Sequence, residues 1–228
     1  MHCPSRNARG ARAFIRSLAR SKSAVVGLII LAFVIVVAIL APLLSPYDYA
    51  EMDMDALLCK PCAEHPMGTD NFGRDVFSRV LEGTRISLFV GIFVVLISLA
   101  IGVPLGMIAG YYGGVWDTAI MRFVDLSLAF PWVLLALTFA AILGAGLHIV
   151  VIALTIAYVP TFIRMMRSVV LSVRTEEYVE AAVVTGEPTR AILWNYVFPN
   201  CLAPLIVQAS TVLACVIIGE ASISYLGV

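Results

Sequence analysis

Four long stretches without a charged residue limit the fold of this chain more than any other feature. They cover residues 23–47, 86–116, 126–163 and 191–219. A helix needs about 20 apolar residues to cross roughly 30 Å of hydrocarbon, so every stretch is long enough to span a membrane. The chain is 61% hydrophobic and 13% charged, which excludes a soluble domain, a disordered chain and a basic nucleic-acid binder. The sequence therefore predicts an integral membrane protein.

The third stretch is too long for one span and is interrupted by Gly144-Ala145-Gly146. We interpret it as two spans joined by a tight hairpin. None of the stretches alternates as transmembrane β-strands do. The predicted fold is an all-α transmembrane bundle with five spans, near residues 24–44, 86–110, 120–143, 147–170 and 201–224. The sequence stops without a polar tail, and we expect the chain to be truncated before a sixth span.

Basic residues are concentrated on one side of these predicted spans. One group precedes the first span and another surrounds the segment before the last: Arg6, Arg9, Arg12, Arg16, Arg20 and Lys22, then Arg164, Arg167, Arg174 and Arg190. The connection 45–84 is acidic. The positive-inside rule then predicts a cytoplasmic N-terminus and an external 45–84 loop. The first span is longer than a signal-peptide core, so we interpret it as a retained anchor.

Motifs for nucleotide hydrolysis, zinc-dependent proteolysis, serine hydrolysis and dinucleotide binding are all missing from the sequence. We therefore expect no catalytic residues and no metal site. Cys59 and Cys62 form a lone Cys-x-x-Cys in the external loop. They are compatible with a local disulfide, with a metal ligand set that includes His65, or with no role.

The segment 174–200 is unusually polar for a connection between spans. Thr175 can cap a helix that carries Glu176 and Glu177 in its first turn. Gly186 permits the turn that ends this helix, and Pro188 suits the start of a second helix that stops at Pro199. We predict two short helices lying on the cytoplasmic face, with small Ala181 and Ala182 open to the close approach of a partner.

Glu180-Ala181-Ala182, followed by Gly186 and Pro199, resembles the "EAA" loop of binding-protein-dependent ABC transporter permeases. Four further segments resemble the C-type subunit of the dipeptide, oligopeptide and nickel permeases: residues 65–79, 109–114, 130–131 and 220–227. One departure is Tyr196-Val197-Phe198-Pro199, where the family pattern reads Ile-x-Leu-Pro. The resemblance implies that the loop docks on an ATPase subunit, through residues that include Glu177, Tyr178, Glu180, Ala181, Ala182, Gly186 and Pro199.

The resemblance also implies a function and a set of partners. The chain would be the permease subunit of an ABC importer of dipeptides or oligopeptides in a bacterial cytoplasmic membrane, with nickel or glutathione as alternative substrates. Partners would be a homologous second permease, two ATPase subunits that hold ATP and Mg²⁺, and an extracytoplasmic binding protein. Residues 1–84 would form the N-terminal part and residues 85–228 the permease core. A gradient-driven carrier, which predicts inverted repeats, and a non-transporting scaffold are the alternatives of other classes.

Several residues within the predicted spans are candidates for packing or transport. Gly102, Gly106 and Gly110 form a ridge of small residues that lets two helices pack closely. Asp125 and Glu220 are ionisable groups at membrane depth and therefore candidates for the path or a gate. For Asp125, the simpler alternative is an ion pair with Arg122 one turn away. Arg164, Arg167 and Arg174 flank the 174–200 segment and are compatible with pairing to its acids or to lipid phosphates, and the sequence leaves the choice open.

Overall fold

The structure is a computed structural model that describes residues 22–144 and 146–225, apart from the side chains of Ser23 and Ala140. The basic residues from Arg6 to Arg20, together with Cys3, Ala145 and residues 226–228, lie outside the described part. Within that part the helices are α1 Lys22–Leu44, α2 Val76–Tyr112, α3 Gly114–Leu128, α4 Trp132–Leu143, α5 Leu147–Val173, α6 Glu177–Val184, α7 Thr189–Ile192 and α8 Phe198–Tyr225.

Two compact units divide the chain, with the boundary between Leu88 and Phe89 inside α2. The first contains α1, the connection to α2 and the first turns of α2. Its connection is ordered by a buried cluster around Asp75. That carboxylate accepts hydrogen bonds from the Ser78 N–H and hydroxyl, both at 2.7 Å, and pairs with Nδ1 of His65 at 3.0 Å. Burial alone would raise the pKa of Asp75, but the hydrogen bonds from Ser78 and His65 lower it.

A second carboxylate in the same connection, Asp70, binds two arginines. Arg74 contacts it at 2.8 Å and Arg79 at 2.5 Å. Burial would raise the pKa of Asp70, but hydrogen bonds from the Phe72 and Arg74 N–H groups and the Arg74 side chain lower it to about 2. The connection between α1 and α2 is thus a folded segment held by charged and polar contacts.

The second unit is built around α5, whose apolar window is 72% buried. The small residues of α2 lie against it. A Cβ on Gly102 would come within 2.6 Å of the Phe162 Cβ, on Gly106 within 2.6 Å of the Met166 Cβ, and on Gly110 within 2.8 Å of the Val170 Cβ. The residue numbers rise in the same direction along both helices, from Gly102 to Gly110 on α2 and from Phe162 to Val170 on α5. The two helices are therefore parallel, and their C-terminal ends lie on the same side of the unit.

The third predicted span, 120–143, is divided by a sharp bend. The structure has two helices there, α3 and α4, bent by 90° about the residues between Leu128 and Trp132. Pro131 has no N–H to donate and disfavours a helical conformation at Phe130, so the helix breaks at this point. α4 ends and α5 begins on either side of the predicted hairpin.

Among the described residues, four helical segments are long and apolar enough to cross a membrane: Ala24–Leu44, Val76–Tyr112, Leu147–Val173 and Thr189–Tyr225. A fifth is present if α3 and α4 together form one broken span. α2 begins at Val76, well before the predicted start at 86. The predicted start is late because the first turns of α2 carry charged residues, which a charge-free window excludes.

Candidate functional site

Helix α6, the first short helix of the 174–200 segment, begins directly after α5. Its N-cap is Glu176, whose backbone is extended, with φ −76° and ψ 140°. The predicted cap Thr175 is wrong, since its hydroxyl donates instead to the Ser172 carbonyl at 2.9 Å. Glu177 and Glu180 lie in the first turn, where negative charge interacts favourably with the helix dipole.

The C-terminal end of α6 is closed by a Schellman turn. The Gly186 N–H donates to the Val183 carbonyl and the Glu187 N–H to the Ala182 carbonyl, both at 3.1 Å. Gly186 has φ +80°, a left-handed conformation that glycine adopts at little cost. The hydroxyl of Thr185 donates to the Ala182 carbonyl at 3.0 Å. The helix therefore ends sharply, as the sequence predicts.

α6 has an inner and an outer face. Val179 is 1% exposed and Ala182 5% exposed, so these two side chains fasten the helix to its own chain. The outer face carries Glu177, Glu180, Ala181 and Val184, the last of which is 87% exposed. The expectation that both alanines are open to a partner is wrong for Ala182, because the helical spacing turns it inward.

Tyr178 lies on the margin of α6 and is 42% exposed. Desolvation, together with the charge of Glu176, raises the pKa of Tyr178, so its phenol is neutral at physiological pH.

The second short helix of the segment does not stop at Pro199, contrary to the prediction. Helix α7 continues through a π-helical turn, Leu193–Val197, into α8, and Pro199 lies within the first turn of α8. Pro199 has no N–H to donate to the preceding turn. That preceding turn is the π-helical one, which is wider than an α-helical turn. The hydroxyl of Tyr196 donates to the Glu187 carboxylate at 2.9 Å, which ties this turn to the end of α6.

Arg174 joins the start of this segment to the end of α2. Its Nη1 donates to the carbonyl oxygens of Gly110 at 3.1 Å and Tyr111 at 3.3 Å. A cation at the C-terminal end of a helix satisfies carbonyls that have no partner within the helix and interacts favourably with the helix dipole. The residue that follows α5, three positions before the start of α6, is therefore bonded to the C-terminal end of α2.

The arginines of α5 pair with acids of α3 and not with the acids of the 174–200 segment, which are among the partners that the sequence leaves open. Arg167 makes a two-pronged ion pair with Asp117 on α3, with Nη2 to Oδ2 at 2.6 Å. Arg164 pairs with Asp125 on α3 at 2.5 Å. Asp125 thus pairs with Arg164 and not with Arg122, which was the simpler alternative considered from the sequence. Both ion pairs join α5 to α3. The sequence pattern could not predict them, since Asp117 and Arg167 are 50 positions apart in the sequence.

The second ionisable candidate, Glu220, is half-buried on α8. It follows Gly219, where a Cβ would come within 2.8 Å of the Trp132 ring of α4. Glu220 thus lies beside the contact between α8 and α4. Its role in the path stays a prediction.

Cys59 and Cys62 are separate, exposed thiols in the connection between α1 and α2. Desolvation and the neighbouring Cys62 thiol raise the pKa of Cys59. His65 directs its Nδ1 to Asp75, and the described residues contain no group of three or more His, Cys, Asp or Glu side chains arranged to hold a metal ion. The disulfide stays a prediction.

Two sequence families match this chain. The family described as binding-protein-dependent transport system inner membrane component matches residues 102–228. The N-terminal TM domain of oligopeptide transport permease C matches residues 11–61. The chain belongs to the family of inner membrane components of binding-protein-dependent transport systems. This membership decides among the classes considered from the sequence, and it gives the chain a transport role in the inner membrane.

Individual relatives cover nearly the whole chain. The dipeptide transport system permease protein DppC of Alkalihalophilus pseudofirmus is 45% identical over 95% of this chain and 71% of its own length. DppC of Haemophilus influenzae is 37% identical over 92% of this chain and 73% of its own. The glutathione transport system permease protein GsiD of Pectobacterium atrosepticum is 40% identical over 95% of this chain and 72% of its own.

Proposed function

We propose that this chain is a permease subunit of an ATP-driven importer of short peptides, and that α6 is the helix through which an ATPase subunit moves it. The names of the relatives that match most of the chain support the substrate class, since several are dipeptide permeases. The structural observation that carries the coupling role is the two-faced α6, with Val179 and Ala182 fixed inside and Glu180 and Val184 presented outside.

A coupling helix must transmit force, so it has to be attached firmly at both ends. At its start, Arg174 bonds the end of α2. At its end, the Gly186 turn and the bond between Tyr196 and Glu187 connect α6 to α7 and the π turn. The outer face of α6 includes Glu177, Glu180 and Ala181, and Tyr178 lies at its margin. Force applied to this face then moves α2, α5 and α8 together. Pro199 lies at the start of α8.

The proposal implies the rest of the transporter. Two ATPase subunits hold ATP and Mg²⁺, a homologous second permease completes the path, and an extracytoplasmic binding protein delivers the peptide. The N-terminus lies in the cytoplasm, on the same side as α6. Permeation proceeds by alternating access, and Glu220 belongs to the outer part of the path.

The coupling role is tested by charge reversal on the outer face. Glu180→Lys, and separately Gly186→Pro, are expected to leave the chain in the membrane while abolishing both uptake and copurification of the ATPase subunit. Glu51→Lys, an equal charge change at an exposed position of the α1–α2 connection, serves as the control and retains both. Normal uptake and ATPase retention by both loop variants would contradict the assignment.

The substrate class is tested by uptake in a strain that lacks the transporter and is complemented with this chain and its partners. Labelled dipeptide is expected to accumulate. Glutathione is the second candidate, favoured by the match to the glutathione permease, and Ni²⁺ is the comparison substrate. Uptake of Ni²⁺ or glutathione without uptake of dipeptide would overturn the assignment to short peptides.

A further inference from the structure

Helix α5 has a polar side that its packing leaves open. One side, with Phe162, Met166 and Val170, lies against the glycines of α2. The opposite side carries Thr161, Arg164 and Ser168 at helical spacing, and each of these is exposed or half-exposed. The most buried spanning helix of the unit therefore presents a strip of hydrogen-bonding groups away from its own chain.

This strip opens into a groove with a volume of about 460 Å³. Gln208 of α8 adds an amide to its wall, and Leu128 and Met165 add apolar surface. The volume is within the range of small-molecule sites, about 300–1,000 Å³. An apolar wall with a few polar groups is the composition expected of a site that contacts a small solute.

Arg164, which lines the groove, lies at membrane depth. At a rise of about 1.5 Å per residue, Arg164 is about 14 Å before the end of α5 at Val173. α5 itself is about 40 Å long and exceeds the roughly 30 Å hydrocarbon layer, so Arg164 lies within that layer. A guanidinium, two hydroxyls and an amide facing lipid would be costly. The strip is therefore expected to face water or polar protein groups and not lipid.

The ion pair of Arg164 is more exposed and has fewer contacts than the ion pair of Arg167. The side chains of Arg164 and Asp125 are 50% and 55% exposed, whereas those of Arg167 and Asp117 are 29% and 21% exposed. Asp125 contacts Arg164 through a single nitrogen, Nη2, whereas Arg167 uses both Nε and Nη2. The guanidinium of Arg164 thus has donors left for a second carboxylate, in the planar geometry that suits a carboxylate.

We propose that this groove is a substrate-contact site on the translocation path, in which Arg164 binds the carboxylate of the passing solute in exchange for Asp125. The site takes small solutes with a free carboxylate, which for a peptide is its C-terminal group. Asp125 holds the arginine in place between passages and keeps its charge paired at membrane depth. This inference rests on the proposed import of peptides.

The test uses the complete transporter in membrane vesicles, with its cysteines replaced. Ser168→Cys lies in the groove, and Val207→Cys, on the exposed apolar side of α8, is the matched control. A charged, membrane-impermeant thiol reagent is expected to label Ser168→Cys about tenfold faster or more, because ionised reagent reaches only wet positions. Equal rates would overturn the assignment of the groove to the path.

The carboxylate contact is tested on the same variant. A dipeptide delivered by the binding protein is expected to slow labelling of Ser168→Cys, and Arg164→Gln to remove this protection while Arg164→Lys keeps part of it. The KM for dipeptide uptake should rise about tenfold or more in Arg164→Gln. Protection and KM unchanged in Arg164→Gln would overturn the role of Arg164.

Dipeptide uptake by the wild type distinguishes a failure of the groove assignment from a failure of the proposed transport function. Dipeptide uptake by the wild type together with equal labelling rates means that the groove assignment is wrong and the transport function stands. A wild type that takes up no dipeptide overturns the proposed function itself.

Discussion

Gly186 is the residue where local backbone geometry matters most for the coupling helix. Its φ of +80° lies in the left-handed region, and a Cβ built on it would meet no described atom within 4 Å. The requirement for glycine is therefore conformational and not steric. The sequence carries this signal, because a glycine directly after a helical segment predicts a left-handed C-terminal turn.

Replacement of Gly186 by alanine should loosen the end of α6 by about 1–2 kcal/mol, the cost of a left-handed conformation for a residue with a Cβ. Asparagine tolerates this conformation better. We expect copurification of the ATPase subunit to fall in the order wild type, Gly186→Asn, Gly186→Ala. Equal retention by alanine and asparagine would mean that the turn conformation does not limit docking.

Arg174 shows what residue-level reasoning misses. Its position after a predicted span indicates a topology signal, and positive charge there is typical of a cytoplasmic boundary. The structure also gives it hydrogen bonds to the carbonyls of Gly110 and Tyr111. Those two residues are distant in the sequence, and only the parallel packing of α2 and α5 brings their carbonyls within reach.

At the scale of elements, the contact between α2 and α5 is set by glycine spacing. Gly106 has the tightest contacts, with a Cβ 2.6 Å from the Met166 Cβ and 2.7 Å from the Ile163 carbonyl oxygen. Backbone atoms cannot move aside without shifting the whole helix. The repeat of small residues predicts close packing, but the identity of the partner helix came only from the structure.

Gly106→Ala should therefore destabilise the chain by about 1–3 kcal/mol, the usual cost of overpacking. Gly83→Ala in the same helix is the matched control, because a Cβ there meets no described atom within 4 Å and alanine favours helix by up to about 1 kcal/mol. Thermal unfolding in detergent should show a lower midpoint for Gly106→Ala and an equal or higher one for Gly83→Ala. Equal midpoints for the two variants would contradict this packing argument.

The bend between α3 and α4 marks another limit of sequence reasoning at this scale. Pro131 predicts a kink, yet prolines are tolerated inside membrane helices when neighbouring groups satisfy the freed carbonyls. Pro104 and Pro160 lie inside α2 and α5, which continue past them as single helices. Whether a proline bends a helix, breaks it or leaves it continuous depends on its tertiary neighbours, so the sequence alone could not separate these cases.

For the whole molecule, the basic residues predict that α6 and the N-terminus share the cytoplasmic side and that the α1–α2 connection lies outside. Cys59 and Cys62 are exposed thiols in that connection, so they serve as native probes. An impermeant maleimide added to spheroplasts should label Cys59 and Cys62 after reduction. A Thr185→Cys variant without other cysteines should react only after lysis, and the reverse pattern would invert the topology.

The sequence by itself determined that this chain is a helical membrane protein, roughly where its spans lie, and that residues 174–200 begin with a short helix that ends near Gly186. These properties follow from hydrophobicity, charge position and turn chemistry, which act over a few residues. The tertiary structure decided which face of α6 is available, with Ala182 inside and Val184 outside. It also paired Arg167 with Asp117 and Arg164 with Asp125. Such pairings join residues far apart in the chain, so they depend on how the helices pack.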